Sequence, residues 1–156
     1  MSLNEYCARK LASPGSGPDL EASALIERAA RLLGESLVGV VAFGSRARGE
    51  SGSASDFDVL VIAEERVPIT RALYARWDGE PALHWRGHEV EPHFVHLPPR
   101  AAVPSGTWAE VATDGVVLLE RGWSVSERLA DIRRMISAGR IARRVVHGQP
   151  YWVRAG

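Results

Sequence analysis

The sequence predicts an α/β (α+β) fold: a small mixed β-sheet with helices packed on one side, followed by a C-terminal appendage that is helical or a hairpin. Two observations predict it. Residues 37–43 (LVGVVAF) and 57–63 (FDVLVIA) are short, Val-rich apolar runs bounded by small or polar residues, the pattern of strands buried in a sheet. Around them, apolar residues recur at helical spacing, as at Leu25, Ala29, Leu32 and Leu33 and again at Val125, Leu129, Ile132 and Ile136.

Taken in order, residues 13–18 (SPGSGP) break the chain, and the first helical pattern closes at Gly34. The strand at 37–43 leads into a small, polar, Gly/Ser-rich stretch at 45–55, and the strand at 57–63 follows. Residues 69–77 make a helix of about two turns. Residues 88–97 read as a third strand, in which Pro92 removes one ladder donor and so indicates an edge or irregular strand. Residues 107–113 are weakly helical, and 115–121 are a fourth strand. Ser124 and Glu127 have capping-box spacing at the start of a further helix that Gly139 ends. Residues 141–154 fit either a hairpin turning near His147-Gly148 or another helix. The organisation expected is a main domain at 1–122 and a basic appendage at 123–156.

Composition limits the function classes. At 46% apolar and 24% charged residues, the chain has an ordinary globular balance, and no apolar run is long enough to span a bilayer. The opening MSLNEYCARK lacks the pattern of a signal peptide, and Cys7 is the only cysteine, so no internal disulfide forms; a cytoplasmic location is expected. Net charge is zero but unevenly placed. Residues 121–156 carry eight arginines against Glu127 and Asp131, a net of +6, which the first 120 residues balance. Such a segment either folds back on the acidic body, meets a partner, or contacts nucleic acid.

The chemistry concentrates in residues 44–61, GSRARGESGSASDFDVLV. Gly44 ends a strand and permits a tight turn with close backbone approach, and Ser45 follows where exposed N–H groups and a hydroxyl make a phosphate seat. Asp56 and Asp58 alternate along the next strand and share a face, with Phe57 and Val59 turned to the core. Two neighbouring carboxylates repel unless a cation lies between them, and an oxygen-bound ion such as Mg²⁺ is the natural occupant. A third acid comes from the third strand. Glu91 is favoured over Glu89, which shares its face, because Val90 precedes it and Phe94-Val95 follow.

Gly-Ser, ten residues, then Asp-any-Asp resembles the signature of the nucleotidyltransferase superfamily related to DNA polymerase beta, and GSRARG…SDFDVLV resembles its minimal nucleotidyltransferases, some of which are antitoxins of HEPN-domain toxins. The resemblance spans about residues 20–120 in element order and is sharp over 37–63. It implies that Gly44 and Ser45 contact the β and γ phosphates of a nucleoside triphosphate. It implies that Asp56 and Asp58, with Glu91, hold two Mg²⁺ ions, Mn²⁺ being the alternative, and that Glu91 helps deprotonate the attacking hydroxyl. The family more often carries Asp where Glu91 stands. Arg46 and Arg48 would add positive charge near the leaving pyrophosphate.

The expected activity is transfer of a nucleoside monophosphate, AMP from ATP, to a hydroxyl of a protein or a small molecule. A HEPN-type toxin or a second copy of the chain is the expected partner. The competing readings are a non-catalytic antitoxin or regulator of the same fold, and nucleic-acid binding through the Arg-rich segment. His84, His88, His93 and His96 form a cluster, but no cysteine joins them, and a spacing of three on a strand puts His93 and His96 on opposite faces, so zinc is not expected; one histidine near Glu91 would touch the acceptor instead. Trp77 and Trp85 either line a pocket or pack in the core.

Overall fold

A computed structural model describes residues 20–44, 57–85 and 87–155. Helix α1 (Leu20–Leu33) runs through a single 3₁₀ turn (Gly34–Ser36) into β1 (Leu37–Ala42). Strand β2 (Phe57–Ala63) is followed by α2 (Arg71–Asp78), the two-residue β3 (His84–Trp85) and β4 (His88–His96). Helix α3 (Gly106–Asp114), β5 (Val116–Glu120) and α4 (Ser124–Ser137) follow, and β6 (Ile141–Val146) and β7 (Gln149–Arg154) complete the described chain. Five strands form one sheet in the order β3-β4-β2-β1-β5, parallel only between β2 and β4, and β6 and β7 form a separate ribbon.

The mixed α+β fold is as the sequence predicts, but the expectation of helices on one side of the sheet is corrected. On one face, Val40, Phe57, Val59 and Val61 pack with Leu25, Ile26 and Ala29 of α1 and with Leu73 and Trp77 of α2. On the other, Val41, Leu60 and Ile62 pack with Trp108 and Val111 of α3 and with Val125, Leu129 and Ile132 of α4. The reason is in the strands themselves. Both central strands are apolar at nearly every position, so both faces need cover from water. Only Asp58 interrupts the buried run of β2, and there the face turns polar.

Pro92 is tolerated because its nitrogen points off the sheet. The N–H of Val90 donates outward to Leu83 O at 2.8 Å, and that of Phe94 outward to the Tyr74 hydroxyl at 3.2 Å. Pro92 lies midway between them with the same orientation, so no bond to β2 is lost.

Helix α4 begins differently from the capping box expected of Ser124 and Glu127. Glu120, 1% exposed at the end of β5, accepts from the Ser126 N–H at 2.8 Å and the Ser126 hydroxyl at 2.5 Å, supplying the cap from outside the helix. Glu127 pairs instead with Arg100 at 2.9 Å. The helix stops at Ser137. Residues 141–154 are the hairpin of the two alternatives. Its turn residues His147 and Gly148 both take positive φ (49° and 77°), which matches the twist of a two-residue hairpin connection.

Much of the basic segment is folded back on the body. Arg128, 2% exposed, donates to the carbonyls of Pro98 and Pro99, each at 2.9 Å, and of Ala102. Arg133 donates to Ala112 O at 2.6 Å, and Arg121 pairs with Glu64 at 2.7 Å. Among the described residues no helix is long and apolar enough to cross a membrane.

Candidate functional site

The sheet's connectivity builds the site. Antiparallel pairing of β1 with β2 brings the end of one strand beside the start of the other, and the Phe43 N–H donates to Asp58 O at 3.1 Å. Gly44 comes next with φ +96°, a conformation side chains with a Cβ rarely adopt. A Cβ there would stand 3.2 Å from Asp58 Oδ2. The carboxylate therefore lies directly against the glycine turn. Parallel pairing of β2 with β4 then sets Glu91 opposite Asp58, and side-chain alternation puts His93 on the same face as Glu91.

Asp58, Glu91 and His93 each offer a ligand atom, all within 4.8 Å of one another. His93 Nε2 lies 2.9 Å from Asp58 Oδ1. The two side chains are 40% and 38% exposed, open enough for a ligand to reach them. The hydrogen bond to Asp58 raises the His93 pKa above its ordinary value, the charges of Asp58 and Glu91 add to this, and partial burial opposes it. The Phe43 and His93 rings meet edge to face, with centroids 5.8 Å apart.

Of the residues singled out in the sequence, the structure brings together Gly44, Asp58 and Glu91. Glu89 pairs with His84 of β3 and precedes the stretch of β4 that runs beside β2, so it is not in the cluster. Ser45, Arg46, Arg48 and Asp56 lie outside the described residues. His93 is the addition. Its signal is Glu91-Pro92-His93, two polar side chains at alternate positions of a strand, which the sequence alone carries no further than one histidine near Glu91 that would touch the acceptor. His96 does face elsewhere, its Nε2 within 2.7 Å of Val67 O. Trp77 and Trp85 are 3% and 5% exposed core residues, the first under the Arg28 guanidinium and the second against Phe57.

Two carboxylates and an imidazole fit a divalent cation. The carboxylate oxygens suit a hard ion such as Mg²⁺ or Mn²⁺, and the imidazole can add a nitrogen ligand for a transition ion. The imidazole, hydrogen-bonded to Asp58 Oδ1, also holds that carboxylate beside the turn.

No curated protein matches the chain. Among solved structures it resembles a toxin–antitoxin complex with AMP-PNP (18% identity over 76% of this chain and 89% of the other, TM-score 0.48). It also resembles a chain of the tri-AMPylated Shewanella oneidensis HEPN toxin in complex with its MNT antitoxin (16% identity over 78% and 87%, TM-score 0.47). Likenesses this loose carry no function with them. The family model for the nucleotidyltransferase domain matches residues 23–104, more than half of the chain and the part that holds Gly44, Asp58, Glu91 and His93. The chain belongs to the nucleotidyltransferase domain family.

Proposed function

We propose that this chain transfers a nucleoside monophosphate, AMP from ATP, to a hydroxyl of a protein or small-molecule acceptor, in a reaction that needs Mg²⁺ or Mn²⁺. The observation that carries the proposal is the seating of the Asp58 carboxylate against the Gly44 turn with Glu91 alongside. A phosphate chain at the turn and a cation on the carboxylates would then be in contact. In this reading Gly44 and Ser45 hold the β and γ phosphates, and Arg46 and Arg48 draw negative charge toward the leaving side. Asp58, Glu91 and His93, with Asp56, hold the metal. A cation held there would neutralise charge as the nucleotidyl group is transferred. Glu91 accepts the proton of the acceptor hydroxyl, whose oxygen forms the new bond to the α-phosphorus as the bond to pyrophosphate breaks.

For the acceptor we propose a protein hydroxyl, on a HEPN-type partner chain. Nucleic-acid binding through the basic segment is the weaker alternative, since Arg121, Arg128, Arg133 and Arg143 are engaged with the chain's own carbonyls and carboxylates.

A ligand that binds only the folded state raises the melting temperature by mass action. ATP is therefore expected to raise Tm with Mg²⁺ or Mn²⁺ present and not with chelator, and Asp58→Asn is expected to remove the shift. A shift that survives both chelation and Asp58→Asn would leave the chain a binding module of this fold rather than an enzyme.

A further inference from the structure

Where the hairpin meets the body, a cavity of about 550 Å³ opens beside the Gly44 turn. Phe43 and Gly44 line it from the end of β1, Thr107 from α3, and Arg143 and Trp152 from the hairpin. The hairpin is fixed over this cavity. Arg143 and Trp152 are register partners, so their side chains leave the same face of the ribbon. Trp152 Nε1 donates to Glu110 Oε1 at 2.9 Å, and Arg143 Nε lies 3.4 Å from the same oxygen. The indole packs over Gly106, where a Cβ would stand 3.6 Å from it. One carboxylate on α3 thus sets both the angle of the indole and the place of the guanidinium.

Resting on the nucleotidyl-transfer reading above, we propose that this cavity seats the base of the nucleotide donor, with the Trp152 indole and the Phe43 ring as its aromatic walls. Gly44 belongs at once to the cavity and to the turn that touches Asp58. If the donor's phosphates lie at that turn, the group contiguous with them is the donor's own nucleoside. The volume is in the range of small-molecule sites, and a flat base gains from aromatic surface whatever its identity. Thr107 and Arg143 supply polar groups at the edge.

The test uses the full chain, titrated calorimetrically with MgATP and, separately, with magnesium tripolyphosphate, which has the phosphates and no base. Trp152→Leu keeps apolar bulk against Gly106 and removes the aromatic face. It is expected to weaken ATP roughly ten- to one-hundred-fold, from the usual contribution of base stacking, while tripolyphosphate affinity is unchanged. Trp152→Phe keeps a ring and most of the ATP affinity, and the quenching of tryptophan fluorescence by ATP is lost in it. ATP affinity untouched by Trp152→Leu, an equal loss for ATP and tripolyphosphate, or quenching that persists in Trp152→Phe would overturn the base seat alone. A wild-type chain that binds neither ligand would overturn the nucleotide site itself, and the base seat with it.

Discussion

Gly44 carries two demands that no other residue meets together. Its φ of +96° strains any residue with a Cβ, and the Cβ itself would press on the Asp58 carboxylate at 3.2 Å. Gly44→Ala is expected to cost about 1–3 kcal/mol of stability from backbone strain and to weaken metal-dependent nucleotide binding beyond what that loss explains, because the carboxylate must move. Chemical denaturation and nucleotide titration of the same variant separate the two effects. Unchanged nucleotide affinity in a folded Gly44→Ala chain would show that the turn is not part of the site. At this scale the sequence was most readable where one rule sufficed. Gly44 and Asp58 stand out by residue type, and Glu91 by its place between Val90 and Phe94. His93 needed two rules at once, alternation along β4 and the parallel register that sets Glu91 against Asp58, and the second is not written in any local segment.

Elements whose signals are local were legible, and those fixed by distant partners were not. Strands β1 and β2 show as apolar runs because burial on both faces leaves no polar position except Asp58. The same continuity hid which helices cover which face, since an unbroken apolar run has no marked side. Strand β3, two residues long, has no pattern to read. The start of α4 was misread because its cap, Glu120, sits on the preceding strand, outside the spacing that a capping box uses. At the end of the sheet away from the site, Glu64 ties elements together. It pairs with Arg66 at 2.5 Å and with Arg121 at 2.7 Å, while Arg121 also donates to the Glu35 carbonyl. The hydrogen bonds from Arg66 and then Arg121 hold its pKa below the ordinary 4.5. A carboxylate depressed in the folded state adds stability above its unfolded pKa and loses it as pH falls through the folded value. Glu64→Gln is thus expected to melt slightly below the wild type at neutral pH, with the difference shrinking below about pH 4.5 and vanishing once the native carboxyl is protonated. Thermal melts of both chains from pH 7 to pH 3 check this, and a constant gap across the range would remove Glu64 from the account.

At the scale of the whole molecule, a single sheet separates two cores, and the site lies where the second core gives way to polar side chains. Leu60 and Ile62 are covered by α3 and α4, and Asp58, two residues before Leu60 on the same face, is left partly exposed. Helix α4 therefore supports the strand that presents the site. Leu129, fully buried in that layer, is expected to cost about 2–5 kcal/mol when replaced by Ala, read as a lower denaturation midpoint. A loss under 1 kcal/mol would mean that α4 is only loosely docked. The same helix α3 carries the hairpin, through Trp152 and Arg143 on Glu110 and the indole over Gly106, so the C-terminal segment is placed by packing as well as by charge. The most direct measurement of the central claim uses ATP radiolabelled at the α or at the γ phosphate, with Mn²⁺ or Mg²⁺ and cell lysate as the source of acceptor. The α label is expected to become covalently attached to an acceptor and the γ label to leave as pyrophosphate, and Asp58→Asn is expected to stop both. Attachment of the γ label, or α-label transfer undiminished in Asp58→Asn, would contradict that claim.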